Sequence, residues 1–210
     1  YVRYLSDYWP AFETAGVLVP DKGDPILIIG PESYTFAKDR SKIEKIRRVL
    51  VFRESSEPEY PGAKLDDFRA LFDEALGGRR PKRIGIVGMS ILPVTIYWAM
   101  EQAAKEFGGA EFVKSDDILI NMRALKSENE LACLREAYRI SKIGMEAVLE
   151  KIRPGMTETQ VRGIAAAAMF EAGAEAEGFP MWCISGEATN QAISRPRNKR
   201  LEKGELIQVQ

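Results

Sequence analysis

Between Ser127 and Ile152 the apolar residues return at helical intervals: Leu131, Leu134, Tyr138, Met145, Val148, Leu149 and Ile152. A strand presents its side chains with a period of two, so this run demands one long helix carrying an apolar stripe. The start is encoded locally. Ser127 followed by Glu130 is a capping box, in which the hydroxyl accepts from an amide three residues on and the glutamate returns the bond. Pro154-Gly155 breaks the helix. Thr157 with Gln160 repeats the box and opens a second helix that runs through Ala172 and closes at Gly173. Ala165 to Ala168 keep its middle slim, which permits close packing on a sheet or another helix. After it, Phe179 to Ser185 and Leu206 to Gln210 read as strands, separated by a polar, basic, loop-like stretch from Gly186 to Gly204.

The first half has a different pattern, short β-type runs alternating with helical ones. Gly16 to Val19 and Pro25 to Ile29 flank the turn Pro20-Asp21-Lys22-Gly23-Asp24 and predict a hairpin. Tyr34 to Arg48, with Ile43 and Ile46 one turn apart, is expected to be a surface helix, and Val49 to Phe52 a short strand. Glu54 to Gly62 has loop composition. Leu65, Phe68, Leu71, Phe72, Ala75 and Leu76 share a helical face that Gly77-Gly78 ends. Arg83 to Val87 reads as a strand, Pro93 to Phe107 as a helix begun by a first-turn proline, Glu111 to Val113 as a strand, and Asp116 to Ile120 as a short apolar segment. Val2 to Leu5 is strand-like. Strands alternating with helices imply an α/β layer domain with mostly parallel strands. The expected division is residues 1–121 and 122–210. The second domain is expected to be incomplete, because an apolar strand at Leu206–Gln210 has nothing after it to pair with.

Composition narrows the chemistry. The 210 residues hold 30 Lys+Arg, 31 Asp+Glu and no histidine, for a net charge of −1. That balance excludes a general nucleic-acid footprint. No apolar run is long enough to span a membrane, and Tyr1-Val2-Arg3-Tyr4 is not a signal peptide. Two cysteines, Cys133 and Cys183, make neither a disulfide framework nor a four-ligand zinc site, so a cytoplasmic setting is expected. Without histidine there is no Ser-His-Asp triad, Cys-His pair or imidazole metal ligand in these residues. Gly85-Ile86-Val87-Gly88 lacks a dinucleotide fingerprint, and Gly77-Gly78-Arg79-Arg80 lacks the ending of a P-loop.

The candidate substrate-binding residues are Trp182, Asn190, Arg195 and Arg197. Trp182 either packs in the core or lines a pocket, while Cys183, with no histidine base, is a core residue. Asn190 either caps its loop or holds a substrate. Arg195, Arg197, Lys199, Arg200 and Lys203, offset by Glu202, form either a solvated loop or the rim of a pocket for an anion, since guanidinium forks pair with carboxylates. Tyr1, Tyr4, Tyr8 and Trp9 are expected to make core and domain contacts rather than a ligand cage.

Several of these segments resemble one family. Lys126-Ser127-Glu128-Asn129-Glu130, Ala137 and Ile152-Arg153-Pro154-Gly155-Met156-Thr157-Glu158 are similar to the entry of the pita-bread domain of the creatinase / Xaa-Pro aminopeptidase / prolidase family. Phe179-Pro180, Ile184-Ser185-Gly186 and Asn190 resemble its first core strand and following loop, and Gly204-Glu205-Leu206-Ile207 its "Gly-Asp-Leu-Val" approach to the central strand. Val2-Arg3-Tyr4-Leu5-Ser6-Asp7-Tyr8 resembles a stretch of its N-terminal domain. The resemblance implies an N-terminal α/β domain followed by the first part of an α+β pita-bread domain. It also implies a homodimer in which one subunit's N-terminal domain borders the other's active site, and a hydrolase acting on a small molecule or short peptide, usually with two divalent metals.

Two positions depart from that pattern. The family's first metal-binding aspartate falls on Gln210, and its loop histidine on Ile193, or on Ser194 in the one-residue alternative. A carboxamide is a poor ligand for a divalent cation, and neither Ile nor Ser serves as a general acid. The expected metal set is therefore none. The expected function is hydrolysis of a C–N bond in a small substrate without the two-metal site. A non-catalytic relative and a metal-dependent Xaa-Pro peptidase with ligands beyond residue 210 are the alternatives.

Overall fold

The computed structural model describes residues 1–54 and 60–210, and the chain divides into two compact units, Tyr1–Ala124 and Leu125–Gln210. The first unit opens with α1 (Val2–Ser6) and a hairpin of β1 (Gly16–Leu18) and β2 (Ile26–Ile29). After it come α2 (Tyr34–Arg40) and β3 (Lys45–Arg48), which lies parallel to β2. The unit continues with α3 (Phe68–Leu76), β4 (Arg83–Ile86), α4 (Val94–Glu106), β5 (Glu111–Lys114) parallel to β4, and α5 (Asp116–Ala124).

β2 is buried along its whole length and on both faces. Ile26 and Ile28 pack with Phe52, Phe68, Leu71, Phe72 and Ile96. Leu27 and Ile29 pack with Tyr8, Ala37 and Ile43. That two-sided burial is why Ile26-Leu27-Ile28-Ile29 is an unbroken apolar run rather than an alternating one. α3 starts at Asp67, whose carboxylate accepts from the Ala70 amide, and ends at Gly77 in the left-handed region with φ 56°, the reason a glycine stands there.

Three expectations for this unit are corrected. The predicted helix over Tyr34–Arg48 stops at Arg40. Ser41 is extended, its hydroxyl bonds Ile43, and Lys45–Arg48 becomes the strand β3. The three-residue spacing of Ile43 and Ile46 matches a helical turn, but pairing beside β2 puts both against the same cluster and gives the backbone groups along that edge of β2 the partners a helix here would not supply. The predicted strand Val49–Phe52 is a 3-10 turn at Leu50–Phe52, with a single bridge from Val49 to Asp66. Val2–Leu5 is helical, not strand-like: the Ser6 hydroxyl bonds the Val2 carbonyl, and Asp7 ends the turn at φ 60°. The apolar segment from Asp116 is α5. Of the expected loop Glu54–Gly62, residues 55–59 lie outside the described residues.

The second unit contains α6 (Glu128–Lys151), α7 (Glu158–Glu171), β6 (Cys183–Ser185) and β7 (Ile207–Val209), the two strands pairing antiparallel. Both capping boxes are formed: Ser127 with Glu130, and Thr157 with Gln160. The helices meet where side chains are smallest. A Cβ at Gly144 would stand 2.7 Å from Met169 and 3.3 Å from the Ala165 carbonyl. This contact lies in the C-terminal half of α6. Val148 is buried against Val161 and Ala165, whereas Leu134, Tyr138 and Leu149 are exposed. The predicted strand Phe179–Ser185 is regular only from Cys183, since Pro180 has no N–H to donate. The loop from Gly186 opens with a 3-10 segment, Gly186–Asn190.

Candidate functional site

The capping box of α7 brings Glu158 to the first turn of the helix, where the aligned peptide dipoles favour a negative charge. Glu158 is completely buried. One carboxylate oxygen accepts from the Ser185 amide (2.8 Å), the Ser185 hydroxyl (2.8 Å) and Arg197 Nη2 (2.6 Å). The other accepts from the Arg197 amide (2.8 Å) and Arg197 Nε (3.0 Å). Burial alone raises the pKa of a carboxyl. Here the donors from Arg197 and Ser185 outweigh it and hold Glu158 down at about 2. Lys199 completes the network, donating to the Ser185 hydroxyl (3.2 Å) and to Glu205 (2.6 Å), and it keeps the Glu205 carboxyl below its ordinary range.

The basic loop is therefore neither free nor merely solvated. Arg197 is forked onto Glu158, Lys199 sits on Glu205, and Arg200 Nη1 donates to the Gly155 carbonyl at 2.7 Å. The Arg197 guanidinium that the sequence offered for an anion is paired with an internal carboxylate; its role here is to hold Glu158. Arg195 is exposed, and Asn190 is exposed at the end of its 3-10 segment. Ile193 is 84% exposed, and the Ser194 hydroxyl donates to Gln191 Oε1 at 2.8 Å.

Strand register sorts the rest. Cys183 pairs with Val209, Ile184 with Gln208, and Ser185 with Ile207. Trp182 and Gln210 exchange two backbone hydrogen bonds of 3.0 Å, extending the ladder by one pair. Directly opposed residues share a face and successive residues alternate. Cys183, Val209 and Ile207 pack against α7 with Val161 and Ala165. Trp182, Ile184, Gln208 and Gln210 lie on the other face, where Trp182, Ile184 and Ala188 form a separate cluster. Burial, helped by the Glu158 charge, pushes the Cys183 thiol up to about 11, so it is a packing residue and no nucleophile.

The resemblance implies a pair of divalent metals, and the ribbon's donors do not fit one. The position that should supply a carboxylate is Gln210, its neighbour along the same face is Gln208, and neither carries the charge a dinuclear centre needs. Among the described residues no group of three or more His, Cys, Asp or Glu is placed to hold a metal ion.

Sequence reading missed Glu158, Ser185 and Glu205 as members of one network. The available signal was a glutamate at the first residue of a capped helix, followed by an apolar stripe that would bury it. Nothing in the spacing says that its cation stands 39 residues away.

Residues 132–210 match the family model described as metallopeptidase family M24. A curated Xaa-Pro dipeptidase of Pyrococcus horikoshii is 29% identical over 190 residues, covering 90% of this chain and 49% of that protein. The fold is that of the pita-bread peptidases. The crystal structure of the prolidase from Pyrococcus horikoshii superposes with a TM-score of 0.73 at 24% identity, covering 99% of this chain and 52% of that one. The X-Pro aminopeptidase from Thermotoga maritima gives 0.70 at 22% identity, with 99% and 53% covered. The chain thus spans about half the length of the relatives it matches. Among the described residues no helix is long and apolar enough to cross a membrane.

Proposed function

We propose that this chain, a relative of the Xaa-Pro peptidases and prolidases of family M24, is part of a hydrolase that breaks a C–N bond in a small substrate without the usual two-metal centre. The observation that carries the reading is the face of the β6–β7 ribbon, on which Gln210 stands where the family resemblance puts a metal-binding carboxylate, with the equally uncharged Gln208 beside it. Two cations around a bridging water need several anionic oxygens to offset about four positive charges. A carboxamide offers a carbonyl lone pair and no charge, so it orients a substrate rather than a metal. In this reading Trp182, Asn190 and Arg195 contact the substrate, while Arg197 positions the loop through Glu158. The protein works as a cytoplasmic homodimer.

The names of the relatives favour a second reading, a metal-dependent Xaa-Pro dipeptidase whose ligands lie outside these residues. Elemental analysis of the purified whole protein separates the two. The expected result is well under one equivalent of Mn, Co, Fe or Zn, and no Xaa-Pro cleavage when metal is added. About two metals per subunit, or chelator-sensitive cleavage of an Xaa-Pro peptide, overturns the metal-free reading. Analytical ultracentrifugation of the whole protein at micromolar concentration is expected to give a dimer; a monomer alone contradicts that part.

A further inference from the structure

The Trp182 indole is 5% exposed, and its Nε1 is buried with no hydrogen-bond partner among the described residues. A sealed N–H without an acceptor costs roughly 1–3 kcal/mol, and native proteins leave few of them. The strand register puts this donor on the same face as the carboxamides of Gln208 and Gln210, with Gln210 directly opposite Trp182. The face holds one indole N–H, two groups that each pair a carbonyl with an NH₂, and the apolar side chain of Ile184. It carries no formal charge. Two cations of the Gly186–Gly204 loop are already used: Arg197 by Glu158 and Lys199 by Glu205.

We infer that this face binds an uncharged amide-type group of the substrate, an N–H beside a C=O as in a carboxamide or lactam, whose carbonyl oxygen accepts from Trp182 Nε1. A glutamine carboxamide meets such a group at two points, donor to acceptor and acceptor to donor. A carboxylate is disfavoured because its desolvation finds no cation on the face, and a metal cation is disfavoured because it finds no anion. The inference rests on the metal-free reading above and specifies what occupies the same site.

The test uses the ¹⁵N-labelled whole protein, with the Trp182 indole resonance assigned by its loss in Trp182→Phe. The probes are N-acetylprolinamide and its charged counterpart N-acetylproline. The amide is expected to move that resonance saturably, and the carboxylate to bind at least about tenfold more weakly. Gln210→Glu, a substitution at an exposed site that keeps the shape but trades the NH₂ donor for a charge, is expected to weaken the amide by about tenfold, or about 1.4 kcal/mol. An indole resonance that stays fixed, equal affinity for the two probes, or no effect of Gln210→Glu overturns the inference. A fixed resonance in protein that elemental analysis finds metal-free sinks this inference alone. Two bound metals sink the reading beneath it.

Discussion

Replacing Glu158 by alanine is expected to cost about 3 kcal/mol and to destabilise the Leu125–Gln210 unit selectively. The carboxylate satisfies the amides of Ser185 and Arg197, the Ser185 hydroxyl and the Arg197 guanidinium. Removing one partner of a buried ion pair costs about 3–5 kcal/mol when the other charge stays buried. The Arg197 side chain is 45% exposed and can recover hydration, so its share is smaller. The larger share comes from the Ser185 and Arg197 amides, at about 1–3 kcal/mol for each buried group left unpaired. Glu158→Gln keeps one acceptor and the shape, and should lose less. The pH dependence has a definite sign. The network holds the folded carboxyl at about 2, below its ordinary value of 4.5, so its contribution is complete above about pH 4.5 and is lost as pH falls towards 2. Guanidinium titrations of the whole protein at several pH values in that window read this directly. Wild type should weaken with acid, and Glu158→Gln should show a flatter slope. Equal slopes would mean that the network does not stabilise the unit.

The first unit contains a parallel case. Glu13 is 8% exposed and accepts from the hydroxyls of Tyr8 and Ser33 and from the amides of Ala11 and Phe12. Burial again opposes its charge, and the Tyr8 and Ser33 donors again prevail, holding it at about 2. Burial, with Glu13 as the next cause, raises the Tyr8 hydroxyl above its ordinary value. This one carboxylate fastens the segment after α1 to the turn at Pro31–Ser33. Glu13→Ala orphans the Tyr8 hydroxyl and two amides and is expected to cost about 2–4 kcal/mol. Tyr8→Phe leaves Glu13 its other donors and should cost about 2 kcal/mol, the scale of a hydrogen bond to a charged group. The double substitution should then cost clearly less than the sum of the two single ones, because once Glu13 is gone the Tyr8 hydroxyl has no bond to lose. Strict additivity in a thermal or chemical denaturation cycle would show that the two side chains do not share their energy.

Some features of the candidate site were legible in residue order and some were not. Trp182 and Gln210 were singled out from strand and family pattern, and the ladder sets them opposite each other. Arg197 was noticed for its charge, but its fork onto Glu158 could not be read from a run of basic residues. Pattern reports which side chains are charged, and only folding reports which charges meet.

The same division runs through the whole chain. Features decided within a few residues were determined by the sequence itself: both capping boxes, the stop at Gly77, and the turn between β1 and β2. Each depends on backbone geometry and on atoms three or four positions away. The tertiary structure alone decided that Lys45–Arg48 pairs beside β2 instead of prolonging α2, that α6 seats Gly144 on Met169 and buries Val148 while Leu134 and Tyr138 stay exposed, and that Glu158 finds its donors at Ser185 and Arg197. In those cases two local conformations are close in energy. The choice falls to burial of apolar surface and to the pairing of buried polar groups with partners 19 to 39 residues away, which no local pattern encodes.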